Sequence, residues 1–207
     1  MQEKKMIHEN IFQSPLSTHS FVNKYVAELK VMKPTQGAKA KVQTQRPRWL
    51  PPPAGCMKVN VDVAISKNLR RASLAAIARD QNGSFLGASG VVLEGITEPE
   101  IAVVIAYREG LALASDLMLT SFLLASDCAN TIRSMAGTGM GPYGQVVKEI
   151  KEEARDFVFV DFVHENRNSN VDAGILARSS ISFNTDRHVW LLDPPSRICN
   201  SYDQLHE

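Results

Sequence analysis

The sequence predicts an α/β domain in which a mixed sheet is flanked by helices. Three strand-like segments come first, and helical and strand-like segments alternate after them, which is the order expected for such a sheet. The 207 residues are 44% apolar and 22% charged. This composition is typical of globular proteins, and the chain is long enough to bury a core.

The first part of the chain is predicted to lie outside this domain, as a basic N-terminal helix and flexible linker over residues 1–48. Apolar side chains recur at helical spacing within residues 15–32, and residues 30–48 contain six cations and no acid. Such a segment is expected to be a solvated linker, although a basic arm can also follow phosphates. Residues 1–56 have a net charge of +6, which leaves −5 for the rest of the chain.

The domain itself is predicted over residues 49–183, followed by a C-terminal tail over 184–207. Three consecutive prolines at 51–53 mark its beginning, because proline lacks an N–H group and biases the preceding residue to extended structure.

The first strand, predicted over residues 57–65, carries an acid among strand-favouring valines. Side chains alternate along a strand, so Val59, Val61 and Val63 share one face, and Asp62 lies on the other face with Lys58, Asn60 and Ala64. Two interpretations are open for Asp62. It belongs to an exposed polar face, or it is a carboxylate placed to hold a metal.

The remaining helices and strands are predicted from turn residues and from changes in the spacing of apolar residues. Asn82-Gly83 predicts a hairpin that joins strands over 72–79 and 84–93. The elements after it are a long helix over 100–119, a strand over 120–127, helices over 128–135 and 144–156, a strand over 157–164, and a helix that Asn170 caps and that runs to 181.

Several classes of protein are disfavoured by the sequence. No apolar run approaches the roughly 18 residues of a membrane span, and the first residues do not resemble a secretion signal. Cys56, Cys128 and Cys199 are odd in number and widely spaced, so we expect reduced thiols in an intracellular protein. Residues 139–144 match a dinucleotide fingerprint, but a helical stretch precedes them, so a turn is expected.

Six motifs, in their order and spacing, resemble those of plant ribonuclease H-like domains in reverse-transcriptase-derived, or retrotransposon-derived, proteins. They are WLPPPAGCMKVNVDVA, IARDQNGSFLGA, YREGLALA, ASDCANTI, VHENRNSN with ILARSSI, and HVWLLDPP. The resemblance implies a ribonuclease H-like mixed five-stranded sheet flanked by helices and binding of RNA–DNA hybrids or RNA. It also implies endonucleolytic hydrolysis of the RNA strand by two divalent metals, Mg²⁺ or Mn²⁺, held by four carboxylates.

Two of those four carboxylates match the family pattern. Asp62 corresponds to the first acid and Asp127 to the third, so both are predicted catalytic residues and metal ligands. Val103 stands at the second position. Glu100, about one helical turn earlier, is a candidate supporting ligand if the helix start shifts.

The fourth acidic position is occupied by Gly174. Asp172 is two residues earlier, about 200° around a helix, and is expected to point away and to complement the helix dipole. With two of four ligands lost, weak binding of Mg²⁺ or Mn²⁺ is expected.

Nucleic-acid contacts are predicted at Lys67, Arg70 and Arg71 in the first hairpin and at Arg133. These cations neutralise phosphates without selecting a sequence, and an ordinary solvated charge is the alternative for each. Because the domain has a net negative charge, binding is expected to be weak, salt-sensitive and largely non-specific.

Three functions remain open from the sequence. The first is a ribonuclease H-like module that binds nucleic acid with weakened or absent hydrolysis, and it is the one we favour. The second is an active RNA–DNA hybrid endonuclease that uses Asp62 and Asp127 with a substitute carboxylate. The third is a retroelement relic without selected activity.

Overall fold

A computed structural model describes residues 49–136 and 144–200, apart from the side chains of Ser134 and Ala136. Our predictions for the N-terminal helix and basic linker, and for the turn over 139–144 except its last residue, lie outside these residues.

The described residues form a mixed α/β structure, as predicted. Six strands make one sheet in the order β5-β4-β1-β2-β3-β6. They are β1 (Met57–Ser66), β2 (Arg71–Arg79), β3 (Phe85–Glu94), β4 (Ser121–Ser126), β5 (Phe159–His164) and β6 (Arg187–Trp190). Strands β1, β4 and β5 are parallel, and the other neighbours are antiparallel.

The predicted strand count was wrong by one. Residues predicted as a C-terminal tail contain β6, which pairs with β3 from Ala88–Trp190 to Val91–Arg187. A four-residue strand containing arginine and histidine has too few apolar positions to show an alternating pattern. The side chain of Trp190 nevertheless packs against the smaller of two apolar clusters, which includes Ala88 and Leu176.

Within the described residues, four helices flank the sheet, at the places expected from the sequence. They are α1 (Pro99–Asp116), α2 (Ala129–Ala136), α3 (Gly144–Glu153) and α4 (Val171–Ser180). Short 3₁₀ turns over Ala154–Asp156 and Arg167–Ser169 precede β5 and α4.

The two faces of β1 contact different helices, and the predicted alternation is confirmed. Val59 and Val61 are fully buried in the larger apolar cluster beneath α1. The approach of α1 requires glycine at Gly110, because an added Cβ would lie 2.6 Å from Leu124 Cδ1 and 2.9 Å from Val61 Cγ1. The opposite face of β1, which carries Asp62, contacts α4.

The hairpin between β2 and β3 is confirmed. Gly83 has φ of 82°, and Asp80 Oδ1 accepts hydrogen bonds from the backbone N–H groups of Asn82 and Ser84 at 2.9 and 2.8 Å. Within the described ranges, no helix is both long and apolar enough to cross a membrane. Cys56, Cys128 and Cys199 form no disulfide with one another.

Candidate functional site

Asp62, in the middle of β1, and Asp127, one residue after β4, lie near each other where the parallel pairing of the two strands ends. The last registered pair of β1 and β4 is Asn60–Ala125, and each aspartate stands two residues beyond it. Parallel strands bring their carboxyl ends to one edge of the sheet. Asp127 contributes electrostatically to the pKa of Asp62, which agrees with this placement. The structure therefore brings together the two acids that the sequence singled out.

The Asp62 side chain is partly buried, and nearby groups only partly offset the effect of that burial on the pKa of its carboxyl. Burial raises its pKa to about 6, and the Asp127 charge adds to the rise. The backbone N–H of Val63 donates to Asp62 Oδ1 at 2.8 Å and opposes it. The guanidinium groups of Arg178 and Arg167 oppose it as well.

The fourth acidic position of the family pattern is a point of close approach between α4 and β1. An added Cβ on Gly174 would lie 2.7 Å from Asp62 Oδ2 and 3.1 Å from Arg178 Nη1. A carboxylate at this position would need Asp62 or Arg178 to move. The site therefore has an arginine beside Asp62, where the family pattern has an acid.

The second acidic position is apolar. Val103 is only 8% exposed and belongs to the larger apolar cluster. Tyr107 is fully buried one helical turn further along α1. Burial raises the pKa of its hydroxyl, the nearby Ser126 side chain lowers it, and the charges of Cys128 and Asp127 raise it again, so the net change is a rise. Tyr107 therefore places this side of α1 near Asp127, and the side chain that the helix carries at Val103 has no oxygen.

Glu100 is exposed in the first turn of α1. Among the residues with described positions, no group of three or more His, Cys, Asp or Glu side chains is arranged to hold a metal ion. Asp62, Asp127 and Glu100 thus do not form a three-carboxylate set in this conformation, and the role of Glu100 stays a prediction.

These side chains do not fit a two-metal centre. Two hard divalent cations need several oxygen ligands around each ion. Here the site has two carboxylates, Asp62 and Asp127. The second acidic position is a valine, and the fourth is a glycine with the guanidinium of Arg178 next to it. A guanidinium is a permanent cation and cannot serve as a metal ligand.

The amino-terminal half of the same face of β1 holds a buried polar network. Lys58 Nζ forms an ion pair with Glu165, donates to the carbonyl of Leu50 at 2.6 Å, and lies 5.3 Å from the ring centroid of Trp49. Asn60 Oδ1 accepts from Trp49 Nε1 at 3.0 Å. This network attaches the segment before β1 to the sheet, so Trp49 anchors the start of the domain.

Asn170 connects that network to α4. Its Nδ2 donates to the carbonyl of Val61 at 2.9 Å, and its Oδ1 accepts from Asn60 Nδ2 at 3.1 Å. Asn170 occupies the N-cap position of α4, but its side chain makes no capping hydrogen bond. The predicted capping role is corrected, because the side chain joins the helix start to β1.

Asp172 binds the buried guanidinium of Arg79, with Nη2 and Oδ2 2.7 Å apart. Arg79 is aligned with Lys58 in the β1–β2 register, whereas Asp62 is aligned with Ala75. Asp172 therefore binds at the Lys58–Arg79 end of the strand pair, four residue pairs from Asp62, in agreement with the prediction that it points away.

The predicted nucleic-acid contacts differ in their surroundings. Lys67 and Arg70 are exposed in the turn between β1 and β2. Arg71 begins β2 and pairs with Glu94 across the hairpin at 2.7 Å, so its charge is partly neutralised. Arg133 is exposed on α2 and donates to Asn130 Oδ1.

The sequence interpretation missed Arg178 and Arg167 as neighbours of Asp62. Arg178 follows Gly174 by four residues, so the two share one face of α4, and this spacing is visible in the sequence. Arg167 belongs to the HENR part of a quoted motif. The approach of both side chains to Asp62 depends on how α4 packs across β1, which no local pattern specifies.

Comparison with known proteins agrees with this architecture. A family model described as reverse transcriptase-like matches residues 60–180. No curated protein sequence matches significantly.

Solved ribonuclease H structures share the fold at low sequence identity. The N-terminal RNase H domain of a Mycobacterium tuberculosis protein, 19% identical, aligns over 60% of this chain and 92% of that chain with a TM-score of 0.54. RNase H1 from Halobacterium salinarum, also 19% identical, aligns over 61% and 98% with a TM-score of 0.53. An RNase H1 isolated from compost by a metagenomic approach, 20% identical, aligns over 61% and 95% with a TM-score of 0.51.

Proposed function

The chain belongs to the reverse transcriptase-like family, and from this premise we propose that it is a ribonuclease H-like domain that binds nucleic acid without efficient hydrolysis. Its partner in this proposal is an RNA–DNA hybrid or RNA. A finer assignment, to plant retroelement-derived members of the family, rests on the six motifs and is part of the same proposal.

The observation that carries the proposal is the side-chain set around Asp62. Gly174 and Val103 supply no oxygen, and Arg178 lies where an added side chain on Gly174 would extend. Hydrolysis by two metals needs both ions held in place to stabilise the attacking and the leaving oxygen. Asp62 and Asp127 alone are too few for that arrangement.

Binding is supported by two cations near Asp62 and by two more in the turn after the carboxyl end of β1. Arg167 and Arg178 influence the Asp62 carboxyl electrostatically, and Lys67 and Arg70 are exposed in the turn after β1. Phosphate neutralisation by such side chains does not depend on base sequence and weakens as salt rises.

The experiment combines binding and cleavage on the full chain. A labelled RNA–DNA hybrid is mixed with wild type and with Asp62→Asn, in Mg²⁺ and separately in Mn²⁺. Anisotropy measures binding, and a denaturing gel measures cleavage. We expect binding by both proteins and no cleavage by wild type above that of the variant.

Two results would overturn the proposal in different directions. Metal-dependent cleavage that disappears in Asp62→Asn would establish an active endonuclease. Failure to bind the hybrid, single-stranded RNA and duplex RNA at low salt would leave the fold without the proposed function.

A further inference from the structure

Arg178 lies beside Asp62, one of the carboxylates at which a metal was expected. Its Nη1 lies 3.1 Å from the Cβ position of Gly174, and Asp62 Oδ2 lies 2.7 Å from that same position. The two atoms are therefore at most about 6 Å apart, within the range in which opposite charges interact strongly. Arg167, in the 3₁₀ turn before α4, adds a second positive charge that acts on Asp62.

Arg178 belongs to the half of the ten arginines within residues 49–136 and 144–200 that form no ion pair with a carboxylate. Arg71, Arg79, Arg108, Arg155 and Arg187 each form an ion pair with a carboxylate. Within residues 49–136 and 144–200, Arg178 is exposed and has no hydrogen bond or ion pair. Its guanidinium donors are thus available to a ligand at the Asp62 edge of the sheet.

We propose that Arg178, supported by Arg167, binds a backbone phosphodiester of the nucleic acid beside Asp62, in the place of a divalent cation. This inference rests on the proposed function, because it specifies how the same site holds nucleic acid. A guanidinium presents a planar set of donors that matches two phosphate oxygens.

The charges of the site favour this arrangement. Asp62 and Asp127 repel a phosphate unless cations lie between them and the ligand. The two guanidinium groups balance the two carboxylates, which lets a phosphate oxygen approach without a metal. A guanidinium orients the phosphodiester but generates no nucleophilic water, so the ligand is held and not cleaved.

The first expected consequence is binding that needs no divalent ion. Wild type should bind a labelled RNA–DNA hybrid equally well in EDTA and in Mg²⁺. Binding that is lost in EDTA and restored by Mg²⁺ would overturn the proposal, because a metal would then mediate the contact.

The second consequence is measured with Arg178→Ala in EDTA over a series of NaCl concentrations. We expect an affinity about tenfold weaker than wild type, as for loss of a hydrogen-bonded charge. The slope of log affinity against log salt should fall in magnitude by about 1, since one phosphate contact is removed. Arg178→Lys should keep the slope and bind more weakly than wild type, because it retains the charge and loses the planar donors.

The matched control is Arg155→Ala. Arg155 is 72% exposed in the turn before β5 and pairs with Glu152, so its removal should change neither affinity nor slope. Thermal unfolding of each variant shows whether it is folded, and Arg178→Gln replaces Arg178→Ala if the alanine variant melts early.

The outcomes separate the site from the proposed function. Wild type that binds no nucleic acid defeats both. Wild type that binds, with Arg178→Ala or Arg178→Gln indistinguishable from Arg155→Ala in affinity and slope, defeats the phosphate site and leaves the proposed function standing.

Discussion

The two halves of the polar face of β1 differ in how completely their polar groups are paired. Lys58 and Asn60, in the amino-terminal half, are 2% and 5% exposed and contact partners from three other segments of the chain. Asp62 follows two residues later, about 7 Å along the strand. The one hydrogen bond that its carboxylate accepts within the described part of the chain comes from the adjacent backbone N–H of Val63.

This difference separates what maintains the fold from what would perform hydrolysis. The Lys58–Asn60 network fixes β1 against the segment before it, the end of β5 and the start of α4. Buried polar groups are tolerated where each has a partner. At Asp62, two of the three positions that would share a metal with it are occupied by a valine and a glycine. The fold can therefore persist while the site loses its ligands.

The largest expected change in stability follows from replacing Glu165, which pairs with Lys58 in the fully paired half of this face. Glu165→Ala should lower the free energy of unfolding by about 3–5 kcal/mol, because it leaves the buried Lys58 ammonium without its counter-ion. Urea unfolding measures the change. Glu152→Ala removes an exposed partner of Arg155 and should cost less than about 1 kcal/mol. Equal losses in the two variants would show that the network does not stabilise the domain.

Asn170→Ala tests the connection between the network and α4. We expect a loss of about 1–3 kcal/mol in the free energy of unfolding, since the carbonyl of Val61 and the amide of Asn60 both lose a partner. Asn166→Ala, at a neighbouring exposed position that makes no capping bond, should change stability by less than about 0.5 kcal/mol. A neutral Asn170→Ala would contradict the assignment of this side chain to the network.

Asp62→Asn should have a smaller effect, of opposite sign. The pKa of Asp62 is raised by burial to about 6 in the folded protein, against about 3.9 in an unfolded chain. The folded state therefore retains a proton that the unfolded state releases, and ionised Asp62 destabilises the fold increasingly as pH rises from about 4 to about 6.

Asp62→Asn is accordingly expected to stabilise the protein by about 1–2 kcal/mol above pH 6 and to have little effect below pH 4. Urea unfolding at pH 4 and pH 8 measures the difference. Asp161→Asn, which changes an exposed acid on β5, is the matched control. A stability difference that is the same at both pH values would mean that the pKa of Asp62 is not raised in the folded protein.

Much of this architecture could be predicted from the sequence, because it depends on local patterns. The valine alternation of β1 placed Asp62 on the correct face, and the short apolar segment of β4 placed Asp127 at its end. Strand β6 could not be predicted in the same way, since four residues ending in Trp190 show no clear period.

The side chains around Asp62 were harder to predict, because they depend on packing between distant elements. Sequence position identified Gly174 as a missing ligand, but not that Asp62 and Arg178 converge on it. The same is true of Asn170, whose capping role is typical of its position while its partners are on β1.

The account depends most on the claim that Asp62 and Asp127 do not hold a divalent metal. Titration of Mn²⁺ into the full chain, followed by electron paramagnetic resonance, tests it directly. Val103→Glu with Gly174→Asp, which restores both acidic positions, is the positive control. We expect wild type to match Asp62→Asn, with no specific submillimolar site in either, and the double variant to bind Mn²⁺ more tightly. Submillimolar binding by wild type that is lost in Asp62→Asn would contradict the account.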